Sequence, residues 1–197
     1  MNGWSALILA GGAGRRFGGG KLLADLGGAP VIRRVAERVC AGGFSEVIAI
    51  TGSQGAAIRA ALAGADVFVS EASDWAEGMA ASLRTGIAAL SPQAAGVCVF
   101  LGDMPLAPVG LCPALIEAAQ RAGYAARPRI SGQPGHPVAF TRAAFADLLA
   151  LQGDQGATAL LKARPEAVAY VDTADTGALL DIDTPDDLVR AVAAWKA

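Results

Sequence analysis

The sequence predicts an α/β fold, a single doubly wound and mostly parallel sheet with helices on both faces. Three observations carry this. Short apolar runs of strand length alternate with helical stretches of about 10–15 residues, the pattern of strands joined by crossover helices. The first run ends in a glycine-rich loop, and the strand ends of open α/β sheets are where ligands bind. The chain also has the means to build a core: 197 residues, 53% hydrophobic and 17% charged. A domain of that length buries roughly 70% of the surface its unfolded chain exposes. Low hydrophobicity with high charge, the mark of disorder, is absent. A formal net charge of −2 offers no general grip on nucleic acid. Mean hydropathy is +0.42, but no apolar run reaches the ~18 residues a membrane span requires. The first residues, Met1-Asn2-Gly3-Trp4, lack the basic region and cleavage site of a signal peptide, so a cytoplasmic protein is expected.

Ala6-Leu7-Ile8-Leu9-Ala10 is wholly apolar and suits a strand buried on both faces. The loop 11–20 follows. Val31, Ile32, Val35 and Val39, with arginines between, have helical spacing over 31–40. Residues 47–50 form a second strand, 58–62 lie in a short helix, and 67–69 form a third strand. A helix over 80–90 leads to a central strand at 97–101. The next helix, 111–122, carries Pro113 in its first turn, where the missing N–H costs little. Prolines and glycines make 128–137 a loop or edge excursion and not a core strand. Residues 138–140 form a strand entering a helix over 143–151, 167–171 a late strand, and Pro185 opens a terminal helix through Trp195. With no internal repeat and no linker, 1–197 reads as one domain.

Cys40, Cys98 and Cys112 form no CxxC pair, and each sits in an apolar stretch as a small core residue. A lone histidine, His136, cannot build a multi-histidine zinc site.

The loop from Gly11 to Lys21 places Arg15, Arg16 and Lys21 among glycines at a strand's carboxyl end. Glycines let backbone N–H groups approach an anion, and the basic side chains add the charge a triphosphate needs. It is not a P-loop, because Arg15 stands at the first glycine position and Leu22 at the hydroxyl. Nor is it a dinucleotide fingerprint, since Phe17 takes the third glycine position.

Two acidic clusters stand out, and in the first Asp103 reads equally as a metal-holding carboxylate and as a turn former before proline. Gly102-Asp103-Met104-Pro105 follows the central strand, so Asp103 projects into the ligand crevice. Mg²⁺ typically takes one or two carboxylates plus substrate phosphates. In Leu180-Asp181-Ile182-Asp183-Thr184-Pro185, an extended backbone would put Asp181 and Asp183 on one side and Ile182 on the other. Thr184, Pro185, Asp186 and Asp187 read as a helix start: a cap, a proline at the first helical position and an acidic first turn.

The stretch Leu9-Ala10-Gly11-Gly12…Arg15…Phe17-Gly18…Lys21 resembles the signature of the molybdenum cofactor nucleotidyltransferase family, enzymes of the NTP-transferase fold. Further resemblances lie in Gly78-Met79…Ser82-Leu83, Gly102-Asp103-Met104-Pro105, Gly132…Gly135-His136-Pro137, Gly153-Asp154-Gln155-Gly156 and Asp181-Ile182-Asp183-Thr184-Pro185, in the family's order. The resemblance implies that Ala10, Gly11, Gly12, Gly14, Arg15 and Lys21 hold the nucleotide, with Ser82 facing the base. It implies Lys21, Arg15 and Asp103 as catalytic residues, and Asp103 with Asp183 as ligands of Mg²⁺, Asp181 being the weaker candidate. Gly135 and His136 border the acceptor site, His136 being equally readable as a structural residue. Arg127 and Arg129, just upstream, are of the type that meets a phosphate. Asp154 reads equally as a helix cap.

The resemblance thus implies Mg²⁺-dependent transfer of a cytidylyl group from CTP to the terminal phosphate of a molybdopterin-type cofactor, with a recipient molybdoenzyme as a further partner. Leu9-Ala10-Gly11-Gly12 with Phe17-Gly18-Gly19 resembles the guanylyl branch, whereas Gly102-Asp103-Met104-Pro105 and the Gly135-His136-Pro137 and Asp181–Pro185 segments resemble the cytidylyl branch, so CTP is preferred over GTP. Two alternatives stand beside it, a sugar- or polyol-phosphate nucleotidyltransferase and a carrier that binds the cofactor without turnover.

Overall fold

The computed structural model describes residues 1–12 and 14–195, without the side chains of Arg15 and Gln155. It places β1 (Trp4–Ala10) in the sheet interior, buried along its length. Trp4, Ala6, Ile8 and Ala10 face one hydrophobic core; Leu7 and Leu9 face the other. This period-two division is that of a strand covered on both faces. β2 (Glu46–Thr51) and β4 (Gly96–Leu101) flank β1 in parallel, and β3 (Phe68–Glu71) continues in parallel from β2. Beyond β4 the direction changes. β7 (Val138–Thr141) is antiparallel to β4, and β5 (Ala125–Ile130) is antiparallel to β7. β6 (Gln133–Pro134) makes a hairpin with β5, and β8 (Val168–Asp172) runs parallel to it. The eight strands form one mixed, mostly parallel sheet in the order β3-β2-β1-β4-β7-β5-β6, with β8 paired to β5.

Helices α1 (Val31–Cys40), α2 (Gly55–Ala61) and α4 (Cys112–Ala122) cover one face, and α3 (Met79–Ala89), α5 (Phe145–Leu149) and α6 (Gly156–Ala163) the other. The predicted spacing of α1 is realised directly, with Ile32 and Val35 buried in the core and Val31 in a smaller cluster. Each fully buried side chain of this kind stabilises by about 1.5–3 kcal/mol. The intervening Arg33 and Arg34 pair with Glu37 outside, where such pairs add little. Cys98 and Cys112 are buried free thiols and Cys40 is partly buried. No helix among the described residues is long and apolar enough to cross a membrane.

The expectation for 128–137 holds for β6, an edge hairpin, but not for 128–130, which belong to β5. Pro128 lies inside β5, yet its carbonyl accepts from Gly135 N–H at 2.8 Å. Its polar groups therefore face the hairpin side, beyond the β7 pairing, which ends at Ala126. The missing N–H breaks no bond to β8, which is reached instead through the neighbouring Arg129 carbonyl (Thr173 N–H donating at 3.0 Å). Helix α6 was also unforeseen, its start hidden behind Gly153-Asp154-Gln155-Gly156.

α7 (Pro185–Trp195) starts as the sequence predicts. Asp187 accepts from Thr184 N–H and Oγ1 at 2.7 Å each, while its own N–H donates to Thr184 Oγ1 at 3.3 Å. This is a capping box with aspartate in the acidic position. Thr184 and Arg190 hold the Asp187 carboxyl down at about 2. The helix packs with Leu26, Val31 and Ile182 in a third, smaller cluster.

Candidate active site

The glycine loop leaves the carboxyl end of β1 and is folded tightly onto itself. Gly14 carbonyl accepts from both Phe17 and Gly19 N–H at 3.1 Å. Gly18, Gly19 and Gly20 all have positive φ (88°, 93° and 70°), a run that side-chain-bearing residues would strain. Among the described residues, the N–H groups of Gly12 and Gly14 find no hydrogen-bond partner, which leaves them available to an anion. Gly11 is needed for a different reason. A Cβ there would stand 2.5 Å from Ser82 Oγ, so the loop and the first turn of α3 are in direct apposition. On the other side, a Cβ on Gly52 would stand 2.7 Å from Gly11 carbonyl and 2.9 Å from Trp75 Cβ. Gly52 and Trp75 border the loop and belong to no motif of the sequence.

Leu22, which stands where a P-loop has its hydroxyl, is buried in the core. It anchors the short helical turn Lys21–Leu23 and turns Lys21 toward the crevice. There Lys21 Nζ donates to Asp103 Oδ2 at 2.5 Å and to Asp183 Oδ1 at 2.9 Å. Burial alone would lower the ammonium; the Asp103 and Asp183 carboxylates outweigh it and hold the group above its ordinary value. Lys21 is therefore charged at neutral pH. Arg16 reaches the second Asp183 oxygen at 2.9 Å from an exposed position. The Arg15 side chain, a candidate from the sequence, lies outside the described residues.

Asp103 sits just beyond β4, and its carbonyl accepts from Ile182 N–H at 3.0 Å. That bond, with buried Ile182, docks the 181–183 segment against the end of the sheet and delivers Asp183 to the cluster. Asp181 stays exposed, outside the Lys21 pairing. Partial burial of its carboxyl and the nearby Asp183 charge raise it above the usual carboxylate value. Asp103 Oδ1 is buried and has no hydrogen-bond partner. An orphaned carboxylate oxygen beside a second carboxylate is an oxygen donor set that fits a hard divalent cation. Among the described residues no third acidic, histidine or cysteine side chain joins them. The other ligands would be waters and phosphate oxygens, the usual situation for Mg²⁺.

Gly135 and His136 lie apart from this cluster, and His136 lines a cavity of about 90 Å³ between the sheet and α3 and α6. A Cβ on Gly135 would stand 2.5 Å from Ala178 carbonyl, and His136 N–H donates to that same carbonyl at 2.9 Å. Arg127 lines the cavity too. Arg129 does not: it pairs with Asp172 at 2.7 and 3.0 Å and lies over the Tyr170 ring. Asp154 packs against Gly78 at the start of α3 and caps no helix by hydrogen bond among the described residues.

Burial and the Arg127 charge push His136 down to about 4. Because the unfolded chain would titrate near 6.5, protonation favours unfolding. Stability is complete above about 6.5 and falls as pH drops toward 4, by about 3 kcal/mol for the full shift. Urea melts at pH 7 and 4.5 are expected to show this loss in the wild type and a smaller one in His136→Gln. Depressed carboxylates such as Glu37 and Asp172 act only at lower pH, and raised Asp181 acts oppositely. The difference between the two proteins therefore isolates the histidine; equal slopes would remove it as the cause.

Comparison with known proteins fits this geometry. The model of the MobA-like NTP transferase domain matches residues 6–168. Nicotine blue oxidoreductase of Paenarthrobacter nicotinovorans is 31% identical over 94% of this chain and 95% of its own. A probable molybdenum cofactor guanylyltransferase of Haloferax mediterranei is 35% identical over 67% of this chain and 62% of its own. The crystal structure of Rv0371c from Mycobacterium tuberculosis superposes with a TM-score of 0.79 at 31% identity, covering 96% of this chain and 97% of that one. Its manganese complex gives 0.72 at 28% identity, covering 97% and 98%. With this match over most of its length, and a loop, lysine and carboxylates gathered at one sheet edge, the chain belongs to the MobA-like NTP transferase family and is a nucleotidyltransferase.

Proposed function

We propose that this nucleotidyltransferase acts on a molybdopterin-type cofactor, transferring a cytidylyl group from CTP to its terminal phosphate. The observation that carries a charge-neutralising nucleotidyl site is the Lys21 ammonium lodged between Asp103 and Asp183, directly beneath the glycine loop. The Haloferax relative, by its name, supports the cofactor as acceptor. An acceptor phosphate oxygen attacks the α-phosphorus of the nucleotide. The bond from that phosphorus to the bridging oxygen breaks, and pyrophosphate leaves with the electron pair. A phosphate monoester is already largely ionised at neutral pH, so this chain needs no strong general base; positioning and charge neutralisation carry the rate.

In this reading the N–H groups of Gly11, Gly12 and Gly14, with Ala10 behind them, cradle the triphosphate. Lys21 leaves its carboxylates to follow the departing charge, and Arg15 assists it. Ser82, held against Gly11, faces the base, and Gly135 and His136 border the acceptor. Asp103 and Asp183 would hold Mg²⁺, which supplies neutralisation at phosphate oxygens when bound; the manganese complex of the Mycobacterium neighbour supports a divalent ion. The Gly135-His136-Pro137 segment favours CTP. The second reading, GTP, is favoured by Leu9-Ala10-Gly11-Gly12 and by the name of the Haloferax relative.

Pyrophosphate release is to be measured with Mg²⁺ and each of CTP, GTP, ATP and UTP, with and without molybdenum-loaded molybdopterin. Release with CTP, dependent on the cofactor, is the expected result. Release with GTP alone selects the second reading. Cofactor binding without release from any nucleotide makes the protein a carrier, and release only with a sugar phosphate changes the acceptor.

A further inference from the structure

The cavity that His136 lines has in its wall a charge that nothing so far explains. Arg127 is only 8% exposed, and among the described residues its one hydrogen bond is from Nε to Gly135 carbonyl at 3.1 Å. Among the described residues no carboxylate pairs with it; the other guanidinium in this strand, Arg129, has Asp172. Taking a cation out of water without a counter-charge is costly. Beside it, His136 Nδ1 is buried and has no partner. Both side chains line one cavity whose other walls are apolar, among them Leu9, Leu101, Val138 and Leu161. Its volume of about 90 Å³ far exceeds the roughly 10–15 Å³ that a single water needs. A buried imidazole nitrogen without a partner and a guanidinium without a counter-charge, lining one largely apolar pocket, are the usual form of a small-molecule site.

We infer that Arg127 and His136 form a seat for a phosphate-type oxyanion, which supplies the counter-charge Arg127 lacks and takes a hydrogen bond from the imidazole. The planar guanidinium, with Nε committed to Gly135, still has its two terminal nitrogens to offer such a group. The backbone that carries the ring is held from behind, because His136 N–H donates to the Ala178 carbonyl and Gly135 packs closely against it. The seat communicates with the catalytic cluster along two strands. Leu9 and Leu101 line the cavity, and each stands two residues before a loop or cluster residue, Gly11 and Asp103. That separation is about 7 Å along a strand, within the length of one acceptor molecule. The assignment of this anion to the acceptor rests on the function proposed above; the existence of the seat does not.

Because His136 is the only histidine in the chain, its ring signals in an NMR spectrum report on the seat alone. Inorganic phosphate and phenyl phosphate are titrated into the full-length protein without nucleotide or metal, so the result is independent of any pyrophosphate assay. A saturable shift of the His136 ring resonances is expected, with its titration midpoint raised by about one unit or more, as an adjacent anion requires. Arg127 is the charge that opposes His136 in the free protein. Arg127→Met is expected to lose the shift, and Arg127→Lys to keep it with about tenfold weaker binding. Equal response to both probes identifies a free-anion seat. Tighter binding of phenyl phosphate identifies an ester whose body lies on the apolar walls. Melting curves add an opposite sign to what a structural arginine predicts. Without ligand, Arg127→Met melts at or above wild type, and phosphate raises the melting temperature of wild type only. No saturable shift with either probe, a shift that survives in Arg127→Met, or an Arg127→Met protein that melts below wild type would each overturn the seat.

Discussion

Replacing Asp103 with asparagine is expected to lower pyrophosphate release by about 10³-fold or more while the protein remains folded. The loss follows from where the carboxylate stands. Its Oδ2 holds the Lys21 ammonium at 2.5 Å, and its Oδ1 is buried with no partner. An amide of the same shape keeps the bulk and removes the charge that a divalent ion and the ammonium both need. The fold should survive because the ties at this corner are backbone ties: Gly102 N–H to Leu9 carbonyl at 2.9 Å and Ile182 N–H to Asp103 carbonyl at 3.0 Å. Lys21 also keeps Asp183. Steady-state pyrophosphate release and a thermal melt on the same preparation check both halves. Asp183→Asn should fall with Asp103→Asn, and Asp181→Asn should stay within a few-fold of wild type, since Asp181 lies outside the cluster. A folded Asp103→Asn enzyme with near-normal turnover would refute the assignment.

The contrast between Asp181 and Asp183 shows where sequence reading stops. Alternation along an extended segment puts both carboxylates on one side, and from the residues alone they are equivalent. What separates them is a tertiary contact, the bond from Ile182 N–H to Asp103 carbonyl, which fixes the segment so that only Asp183 reaches Lys21. Lys21 itself is 82 and 162 residues from its two partners, a distance that no local pattern spans. Elements governed by local periodicity were legible: β1, α1 and α7 fall where apolar spacing and caps place them. Position in the sheet was legible for Asp103, because a parallel strand's carboxyl end has one destination. Arg127 was legible beside Arg129 as an arginine of the type that meets a phosphate, but not as the buried one of the two. Pro128 makes the segment after it read as a loop, and only the pairing of β5 with β8 on one side and with β7 and β6 on the other reveals a strand that carries the arginine inward. The antiparallel turn of the sheet at β7 was likewise hidden, since strand direction is set by connection and not by composition.

Lys21→Met is expected to separate two properties that the ammonium joins. Pyrophosphate release should fall by about 10³-fold, for want of a charge to follow the departing pyrophosphate. Binding of Mn²⁺ in the absence of nucleotide should strengthen by about tenfold or more. In the free protein the ammonium lies between Asp103 and Asp183, at 2.5 and 2.9 Å, and its stem is 11% exposed. It supplies the positive charge between the two carboxylates and thereby competes with any cation that they would hold. A methionine of similar length fills the stem's place beside Gly14, where a Cβ would stand 3.2 Å from Lys21 Cγ, and leaves the carboxylates facing each other. Even at a screened effective dielectric, removing a unit charge at this range amounts to more than the ~1.4 kcal/mol of a tenfold change. Mn²⁺ titration followed by electron paramagnetic resonance measures this directly, without turnover. Equal or weaker Mn²⁺ binding in Lys21→Met would mean that the lysine and the ion do not share the carboxylates. The lysine would then be a fixed part of the phosphate cradle, not a group that moves when the site is filled.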